Sequence, residues 1–557
     1  MNIITDKYSN ASVKFATNGI CASSQYLASQ VGIDILKKGG NAADASVAMA
    51  AILNLTQPCS TGIGGDCFVL YYCNKKKKVF GLNGSGRSPQ SLDIELCKER
   101  GFTESIPFSS ALSVTVPGAA AAWVDTIERF GSGSLKLKDL LQPAIEYAEN
   151  GVCIQPMTSH WWNLRSDQLE VSKNKGELLN SDGNPPGPGE VFKNVNLANT
   201  FRLLGENGKD GFYKGFVAEA IVEVLKELGG VMTMDDLARH YSTFDEPISI
   251  NYRGYDIVEL PPNGQGITAL LALNILEGFD IGSMDPKSPE YIHLIIESLR
   301  LGFSDSRKYV SDPIFRDIPL QKLLSKEYGK SRRKIINLEK SNESIQHGYP
   351  DQESNTVYLS VVDKDGNACS FINSNYKSFG TGIIPKGCGF TLQNRGCNFS
   401  LDPTHFNSLE RNKRPYHTII PSMILKNGEL YASFGIMGEY MQPQAHVQVV
   451  CNLIDHKMDP QTAIDWPRVL IENVDECVKH HTKGNIALEE GFSQDTIDKL
   501  IHNYQHHNIR ISPLKSHQRM VFGNGQIILK LTSSSNNTKM VLCAGSDSRC
   551  DGTASIY

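Results

Sequence analysis

The chain has 557 residues, of which 40% are hydrophobic and 21% are charged, values that are ordinary for a soluble globular protein. A net charge of −5 gives no reason to expect a nucleic-acid partner, and no apolar run approaches the roughly 18 residues of a membrane span. Thirteen cysteines without CxxC pairs favour reduced thiols over a disulfide framework or a zinc site. No secretory signal is recognisable at the start of the chain, so we predict a cytoplasmic location.

Residues 24–57 predict two helices joined by a short turn. Apolar residues recur at helical spacing up to Gly39 and Gly40, which end the first helix. Asn41 can cap the second helix, whose many Ala and Val residues predict burial on nearly all sides. The glycines at 62–65 then lead into a strand. They lack the Lys and the following helix of a phosphate-binding loop, so we interpret them as sites of close backbone packing.

The rest of the chain divides into a helical middle and a strand-rich end. Residues 135–155, 197–243 and 267–310 are predicted to be largely helical, and the C-terminal third to consist mainly of strands. Residues 335–355 are polar with little periodicity, which is typical of a loop. These patterns predict an α/β protein with layers of helices and strands.

A hairpin with a hydroxyl residue at its mouth follows this loop. Apolar and polar residues alternate over 357–361, and Asp365 and Gly366 favour a tight turn into a second strand. Thr356 lies immediately before the first strand. Cleavage of the Asn355–Thr356 peptide would give Thr356 a free α-amine, with a pKa of about 7.7–8.0, beside its own hydroxyl nucleophile. Threonine is also common at strand starts, because β-branched residues suit the pleat.

Nine short motifs are distributed along nearly the whole chain. They are GGNAADA at 39–45, PCSTGIGG at 58–65, VPGAA at 116–120, PPNGQG at 261–266, FGTG at 379–382, LQNRGCNFS at 392–400, KRPYHT at 413–418, GIMGE at 435–439 and GSDSRCDG at 545–552. In order and spacing they resemble the γ-glutamyltranspeptidase family. Members of that family are N-terminal nucleophile hydrolases that are made as one chain and cut into two subunits.

The resemblance implies a four-layered αββα fold with two interleaved subunits, 1–355 and 356–557, in one structural domain. The two subunits of one precursor would associate with each other, and a homo-oligomer is compatible with this organisation. The resemblance implies a small-molecule amide substrate and neither a cofactor nor a nucleic-acid or membrane partner. A metal-dependent amidase is the competing enzyme class, and the lack of HExxH or clustered His and Asp ligands argues against it.

Four residues match catalytic positions of the family. Thr356 matches the nucleophile, and Ser374 matches a second threonine that lies near it. Gly438 and Glu439 match a glycine pair whose backbone N–H groups form the oxyanion hole. Glu439 still supplies an N–H, but a charged side chain beside a developing oxyanion departs from the family pattern.

Six residues match, or lie near, substrate-binding positions. Asn398 stands where the family has an acidic residue for the substrate ammonium, and loss of that charge-assisted hydrogen bond costs about 1.5–3 kcal/mol. His417 and Thr418 replace a serine pair, and Tyr376 replaces an asparagine. Arg395 lies in a run, residues 393–396, that resembles one bacterial branch of the family. Arg87 lies near the position of the family's carboxylate-binding arginine but is displaced from it along the chain. His417 could equally be a core histidine, and Arg395 a solvated loop residue.

We predict γ-glutamyl amides as the substrate class, with a small carboxylate-bearing amide as the alternative. Overall similarity favours hydrolysis of γ-glutamyl amides such as glutathione through a Thr356 acyl-enzyme, with acyl transfer as a possible side reaction. The altered clamp favours a short carboxylate-bearing amide such as oxamate, the activity of one bacterial branch of the family. An alternative of another class is a non-catalytic relative that is not processed, which would run as a single uncut band on a gel.

Overall fold

Two antiparallel β-sheets lie face to face at the centre of the computed structural model, which describes residues 11–342, 356–472, 485–506, 514, 516–531 and 539–557. The strands in these ranges are β1 (Lys14–Ala16), β2 (Ile20–Ser23), β3 (Asp66–Cys73), β4 (Lys78–Gly84), β5 (Val152–Cys153), β6 (Val191–Phe192), β7 (Ile248–Tyr252), β8 (Tyr255–Glu259), β9 (Val357–Val362), β10 (Ala368–Ser374), β11 (Ser422–Lys426), β12 (Glu429–Met437), β13 (Val469–Glu472), β14 (Asn485–Leu488), β15 (Asn524–Leu531), β16 (Val541–Ser546) and β17 (Thr553–Ile556).

Helices cover the outer faces of the sheets. Those in the described ranges are α1 (Tyr26–Lys37), α2 (Ala42–Thr56), α3 (Ile94–Glu99), α4 (Ala119–Phe130), α5 (Leu137–Asn150), α6 (Pro156–Arg165), α7 (Val195–Asn207), α8 (Asp210–Tyr213), α9 (Gly215–Glu227), α10 (Met234–Ala238), α11 (Gly266–Leu276), α12 (Pro289–Tyr309), α13 (Leu320–Leu323), α14 (Lys326–Arg333), α15 (Met441–Ile454), α16 (Pro460–Asp465) and α17 (Gln494–His502).

The two large sheets mix strands from both ends of the chain. The six-stranded sheet has the order β17-β2-β9-β10-β3-β4, and the seven-stranded sheet has the order β1-β16-β15-β12-β11-β8-β7. Strands that precede residue 343 therefore pair directly with strands that follow residue 355, as β2 does with β9 and β3 with β10. The remaining two sheets have two strands each, β13-β14 and β5-β6.

The alternation in β9 shows how the layers are built. Val357, Leu359 and Val361 belong to the core between the six-stranded sheet and helices that include α1, α2 and α4. Tyr358 and Val362 point the other way, into the core between the two sheets. A third core lies between the seven-stranded sheet and helices that include α11, α12 and α15. The layers are thus helix, sheet, sheet, helix, as predicted.

Local predictions in the first third of the chain are confirmed. Asn41 and Asp44 form a capping box at the start of α2, and every residue of that helix is buried. The glycines at 62–65 are needed for close approach, because a Cβ on Gly65 would lie 2.3 Å from the Ser374 carbonyl oxygen. No helix within the described residues is long and apolar enough to cross a membrane. None of the cysteines in those residues forms a disulfide.

Candidate active site

Thr356 is the first described residue after 343–355, and it lies beside Ser374. The antiparallel register of β9 and β10 pairs Val357 with Asn373, which sets the preceding Thr356 opposite Ser374. Thr356 Oγ1 is 3.0 Å from Ser374 Oγ, and both residues are fully buried. Ser374 Oγ also accepts a hydrogen bond from the Tyr376 backbone N–H at 2.8 Å. The other side of the predicted cut, Asn355, lies outside the described residues.

Gly438 and Glu439 form a turn between β12 and α15. Both have positive φ angles, +126° for Gly438 and +50° for Glu439, a region that is uncommon for a residue with a side chain. The Glu439 carboxylate is turned toward Lys377, whose Nζ lies 2.7 Å from Oε1, and both side chains are buried. The Glu439 carbonyl accepts a hydrogen bond from Gln265 Nε2 at 2.8 Å. The negative charge of the Glu439 side chain is therefore balanced by Lys377 inside the protein.

Tyr376 and Asn398 are hydrogen-bonded to each other. The Tyr376 hydroxyl donates to Asn398 Oδ1 at 2.7 Å, and Asn398 Nδ2 donates to the Tyr416 carbonyl at 3.1 Å. Burial raises the pKa of Tyr376 well above its ordinary value, so the phenol is neutral. Both ends of the Asn398 amide are engaged by the protein, and the amide carries no charge.

Arg395 is a fully buried guanidinium, not a solvated loop residue. It lies over the Tyr376 ring, 4.0 Å from the centroid, and its Nη1 donates to Thr418 Oγ1 at 2.6 Å. Its Nε is 4.0 Å from Asp66 Oδ2. Nε and Nη2 have no hydrogen-bond acceptor among the described residues. Burial lowers the pKa of Arg395, and a buried cation with unused donors favours an anionic group nearby.

His417 is held as a neutral imidazole. Its Nε2 lies 2.9 Å from Asp66 Oδ2, and its Nδ1 accepts a hydrogen bond from the Ile419 backbone N–H at 3.4 Å. Burial, assisted by the charge of Arg395, lowers the pKa of His417 to about 4. Because both ring nitrogens have protein partners, this geometry agrees with the core-histidine interpretation.

Arg87 lies apart from this group. Its guanidinium stacks over the Tyr241 ring at 4.2 Å from the centroid, and Nη1 donates to the Tyr241 carbonyl at 3.2 Å. It lines a cavity of about 200 Å³ together with His240 and Asn412. None of the other predicted site residues lines that cavity. The structure therefore brings together all of the described candidate residues except Arg87.

Three residues of this cluster were not singled out from the sequence. Asp66 opens β3 directly opposite Ser374 and contacts His417. Gln265 Nε2 bridges the carbonyls of Thr418 and Glu439 at 2.6 and 2.8 Å. Lys377 pairs with Glu439. A charged residue at the start of an otherwise apolar strand was an available signal for Asp66, whereas Lys377 and Gln265 offered none.

Comparison with known proteins identifies the family of this chain. The family model described as Gamma-glutamyltranspeptidase matches residues 28–557. The chain belongs to this family. The glutathione hydrolase-like YwrD proenzyme of Bacillus subtilis (strain 168) is 39% identical over 489 residues, covering 87% of this chain and 90% of that protein. The oxamate amidohydrolase proenzyme of Klebsiella pneumoniae is 30% identical over 459 residues, covering 82% of this chain and 85% of that protein.

A solved structure supports the same assignment. The cephalosporin acylase from Bacillus halodurans superposes with a TM-score of 0.87 at 39% identity, covering 100% of this chain and 98% of that one. The predicted N-terminal nucleophile hydrolase fold and enzyme class of this γ-glutamyltranspeptidase-family chain are thereby confirmed. Its relatives carry proenzyme names, which agrees with a precursor that is cut into associating subunits.

Within the described ranges, the one group of three close metal-type ligands, His293, Glu297 and His506, shares no residue with the cluster around Thr356.

Proposed function

We propose that the chain cuts itself between Asn355 and Thr356 and then hydrolyses amides through a Thr356 acyl-enzyme. The contact between Thr356 Oγ1 and Ser374 Oγ carries this proposal, because it holds a buried hydroxyl at the start of a strand next to a second hydroxyl. In the precursor, the Thr356 hydroxyl first attacks the Asn355 carbonyl, which gives an ester intermediate. Water then hydrolyses that ester.

In the processed enzyme, Thr356 supplies both the nucleophile and the base. Its hydroxyl attacks the substrate carbonyl while its free α-amine takes the hydroxyl proton and later passes a proton to the leaving amine. The Ser374 hydroxyl orients Thr356 Oγ1. The backbone N–H groups of Gly438 and Glu439 stabilise the oxyanion of the tetrahedral intermediate, and the turn that carries them is held by Gln265 and Lys377.

The acyl group that fits best carries a carboxylate and lacks a free ammonium. Arg395 offers buried, unused donors to a carboxylate, whereas Asn398 has no charge to offer an ammonium and is already bonded to Tyr376. A relative named for oxamate, an amide that carries a carboxylate and no ammonium, supports this class. Thr418 binds Arg395 and orients it, and Arg87, which contacts Tyr241, is not included in the acyl site.

Hydrolysis of γ-glutamyl amides such as glutathione is the second candidate. Its support is the similarity to relatives that are named glutathione hydrolases, including the proenzyme from Escherichia coli (strain K12), 31% identical over 504 residues. Transfer of the acyl group to an amine acceptor would compete with hydrolysis in this case.

Two experiments test the proposal. N-terminal sequencing of the smaller fragment should begin Thr-Val-Tyr-Leu, and Thr356→Ala should leave one uncut chain; any other fragment start contradicts the cleavage site. The processed protein is then assayed in parallel on oxamate, a glutaryl amide, glutathione and γ-glutamyl-p-nitroanilide. A kcat/KM for glutathione of about 10⁴ M⁻¹s⁻¹ or more, with none for the other acyl groups, would overturn the preferred substrate class.

A further inference from the structure

A buried cluster of two imidazoles and a carboxylate lies away from the active site. His293 and Glu297 are one turn apart on α12, and His506 follows α17. His293 is 1% exposed and the other two are fully buried. One nitrogen of each imidazole and a carboxylate oxygen all lie within 4.8 Å of one another. The three groups therefore lie close enough to one another to be considered as ligands of a single ion.

The hydrogen bond from His293 to Asn337 sets the tautomer of this imidazole. His293 Nε2 is 2.7 Å from the Asn337 carbonyl oxygen, which can only accept, so Nε2 carries the proton. With the proton on Nε2, a neutral ring has its lone pair on Nδ1, the nitrogen that faces His506. Donation of the second ring N–H to a backbone carbonyl is the usual support of a metal-binding histidine.

The two facing nitrogens are close enough to become ligands of one ion after a small movement. His293 Nδ1 and His506 Nε2 are 2.8 Å apart. With metal–nitrogen bonds of about 2.0–2.1 Å, the tetrahedral angle of a zinc site requires a separation of about 3.3 Å, so the two rings must move apart by about 0.5 Å on binding. Without an ion, one ring donates a hydrogen bond to the other. Metal binding requires the proton shared by His293 Nδ1 and His506 Nε2 to leave this position. The lone pairs of both nitrogens can then point toward the metal.

Glu297 supplies the third ligand and restricts the choice of metal. Its Oε1 accepts from Arg300 Nη1 at 2.6 Å and its Oε2 from the Asn342 backbone N–H at 3.2 Å. Each carboxylate oxygen has a second lone pair available for a metal. Because Arg300 balances the charge of Glu297, attraction of a hard cation such as Ca²⁺ or Mg²⁺ is weak. Imidazole nitrogen instead favours zinc and neighbouring transition metals.

We propose that His293, Glu297 and His506 bind one divalent transition-metal ion of the zinc type. The site joins α12 to the segment that follows α17. Residues 337–342, the last described before the proposed cut, bond to His293, Glu297 and Arg300, and the Ser341 N–H donates to the Tyr504 carbonyl at 2.7 Å. The bound ion would thus fasten α12 of the first fragment to the C-terminal part of the chain, beside residues 337–342.

Zinc binding to the full-length protein tests this proposal. After EDTA treatment and dialysis, titration with Zn²⁺ should show one tight equivalent, and His293→Gln and His506→Gln should each weaken it at least tenfold. His446→Gln is the matched control, because His446 is an equally buried histidine that contacts Glu259 at 2.8 Å without a second imidazole. Equal zinc affinity in wild type and His293→Gln would refute the site.

A measurement on the wild-type protein covers the case in which the variants do not fold. Anomalous scattering at the zinc edge should give a peak between His293 Nδ1 and His506 Nε2 in zinc-soaked crystals. Zn²⁺ should raise the thermal unfolding midpoint, whereas Mg²⁺ at the same concentration should not. Zinc found at other histidines only, with none between these two, would contradict the proposal. Neither outcome depends on amidase activity.

Discussion

Lys377 Nζ lies 2.7 Å from Glu439 Oε1, and this buried ion pair connects the segment after β10 to the turn after β12. The first segment directly follows Ser374 and carries Tyr376, and the turn carries the proposed oxyanion donors. The pair therefore fixes two sides of the candidate site relative to each other.

Lys377→Met should destabilise the protein and slow the reaction, because it leaves the Glu439 carboxylate buried without its partner. Loss of one member of a buried pair costs about 3–5 kcal/mol of the free energy of unfolding. Urea unfolding in a Thr356→Ala background and kcat in the otherwise wild-type enzyme measure the two effects.

Two controls accompany that substitution. Lys377→Met combined with Glu439→Gln should recover part of the lost stability, because no buried charge is left. Lys78→Met removes an exposed pair with Glu246 of similar length, 2.8 Å, and should cost about 0–1 kcal/mol. Equal effects of Lys377→Met and Lys78→Met would contradict the importance of burial.

Ser374→Ala should slow both cleavage of the precursor and turnover of substrate. It removes the hydroxyl that contacts Thr356 Oγ1 and accepts from the Tyr376 N–H. Loss of a hydrogen bond of about 1–1.5 kcal/mol lowers the rate about five- to tenfold. Ser374→Thr keeps the hydroxyl and serves as the control. Both rates are read from gel time courses and single-turnover assays, and unchanged rates in Ser374→Ala would exclude an orienting role.

Asn398→Asp combined with Tyr376→Asn should raise kcat/KM for γ-glutamyl-p-nitroanilide about tenfold or more. The new carboxylate can form a charge-assisted hydrogen bond with the substrate ammonium, worth about 1.5–3 kcal/mol. Asn398→Asp alone should give no gain, since it loses the hydrogen bond to the Tyr416 carbonyl and keeps Tyr376 in place. If the double variant shows no increase either, the missing carboxylate does not set the specificity.

The protein should lose stability as the pH falls from about 6.5 to 4, in part through His417. The folded state holds the pKa of His417 at about 4, whereas the unfolded chain has its ordinary value of about 6.5. Between these values the unfolded state binds a proton that the folded state does not, so this group removes about 3 kcal/mol over the interval and nothing further below it.

Substitution at His417 isolates this contribution. Urea unfolding of wild type and His417→Gln, both in the Thr356→Ala background, should differ most at pH 7 and least near pH 4. The exposed His502 provides the control, and His502→Gln should follow the wild-type pH dependence. A constant difference between wild type and His417→Gln across the range would show that protonation of His417 does not contribute.

Local sequence patterns predicted individual helices, strands and turns, whereas the four-layered fold and the candidate site residues came from the family resemblance. The helices around Asn41, the hairpin after Thr356 and the close packing of Gly65 depend on neighbouring residues, so periodicity and turn chemistry were sufficient. The pairing of Lys377 with Glu439 depends on how two sheets stack, and no local pattern encodes it. Arg87 was placed near the substrate by its position along the chain, but its side chain lies against Tyr241, in a cavity that the predicted partners do not line.

The mixed strand order of the six-stranded sheet has a consequence for how the two fragments are supplied. β9 and β10 lie between β2 and β3, so a cut before Thr356 would break no hydrogen-bonded strand pair and would leave neither fragment with a complete copy of either large sheet. The two polypeptides would arise in equal numbers from each translated chain. Their ratio would then be one to one, because both fragments are translated from the same messenger RNA. Neither fragment could be replaced by a copy that is synthesised separately.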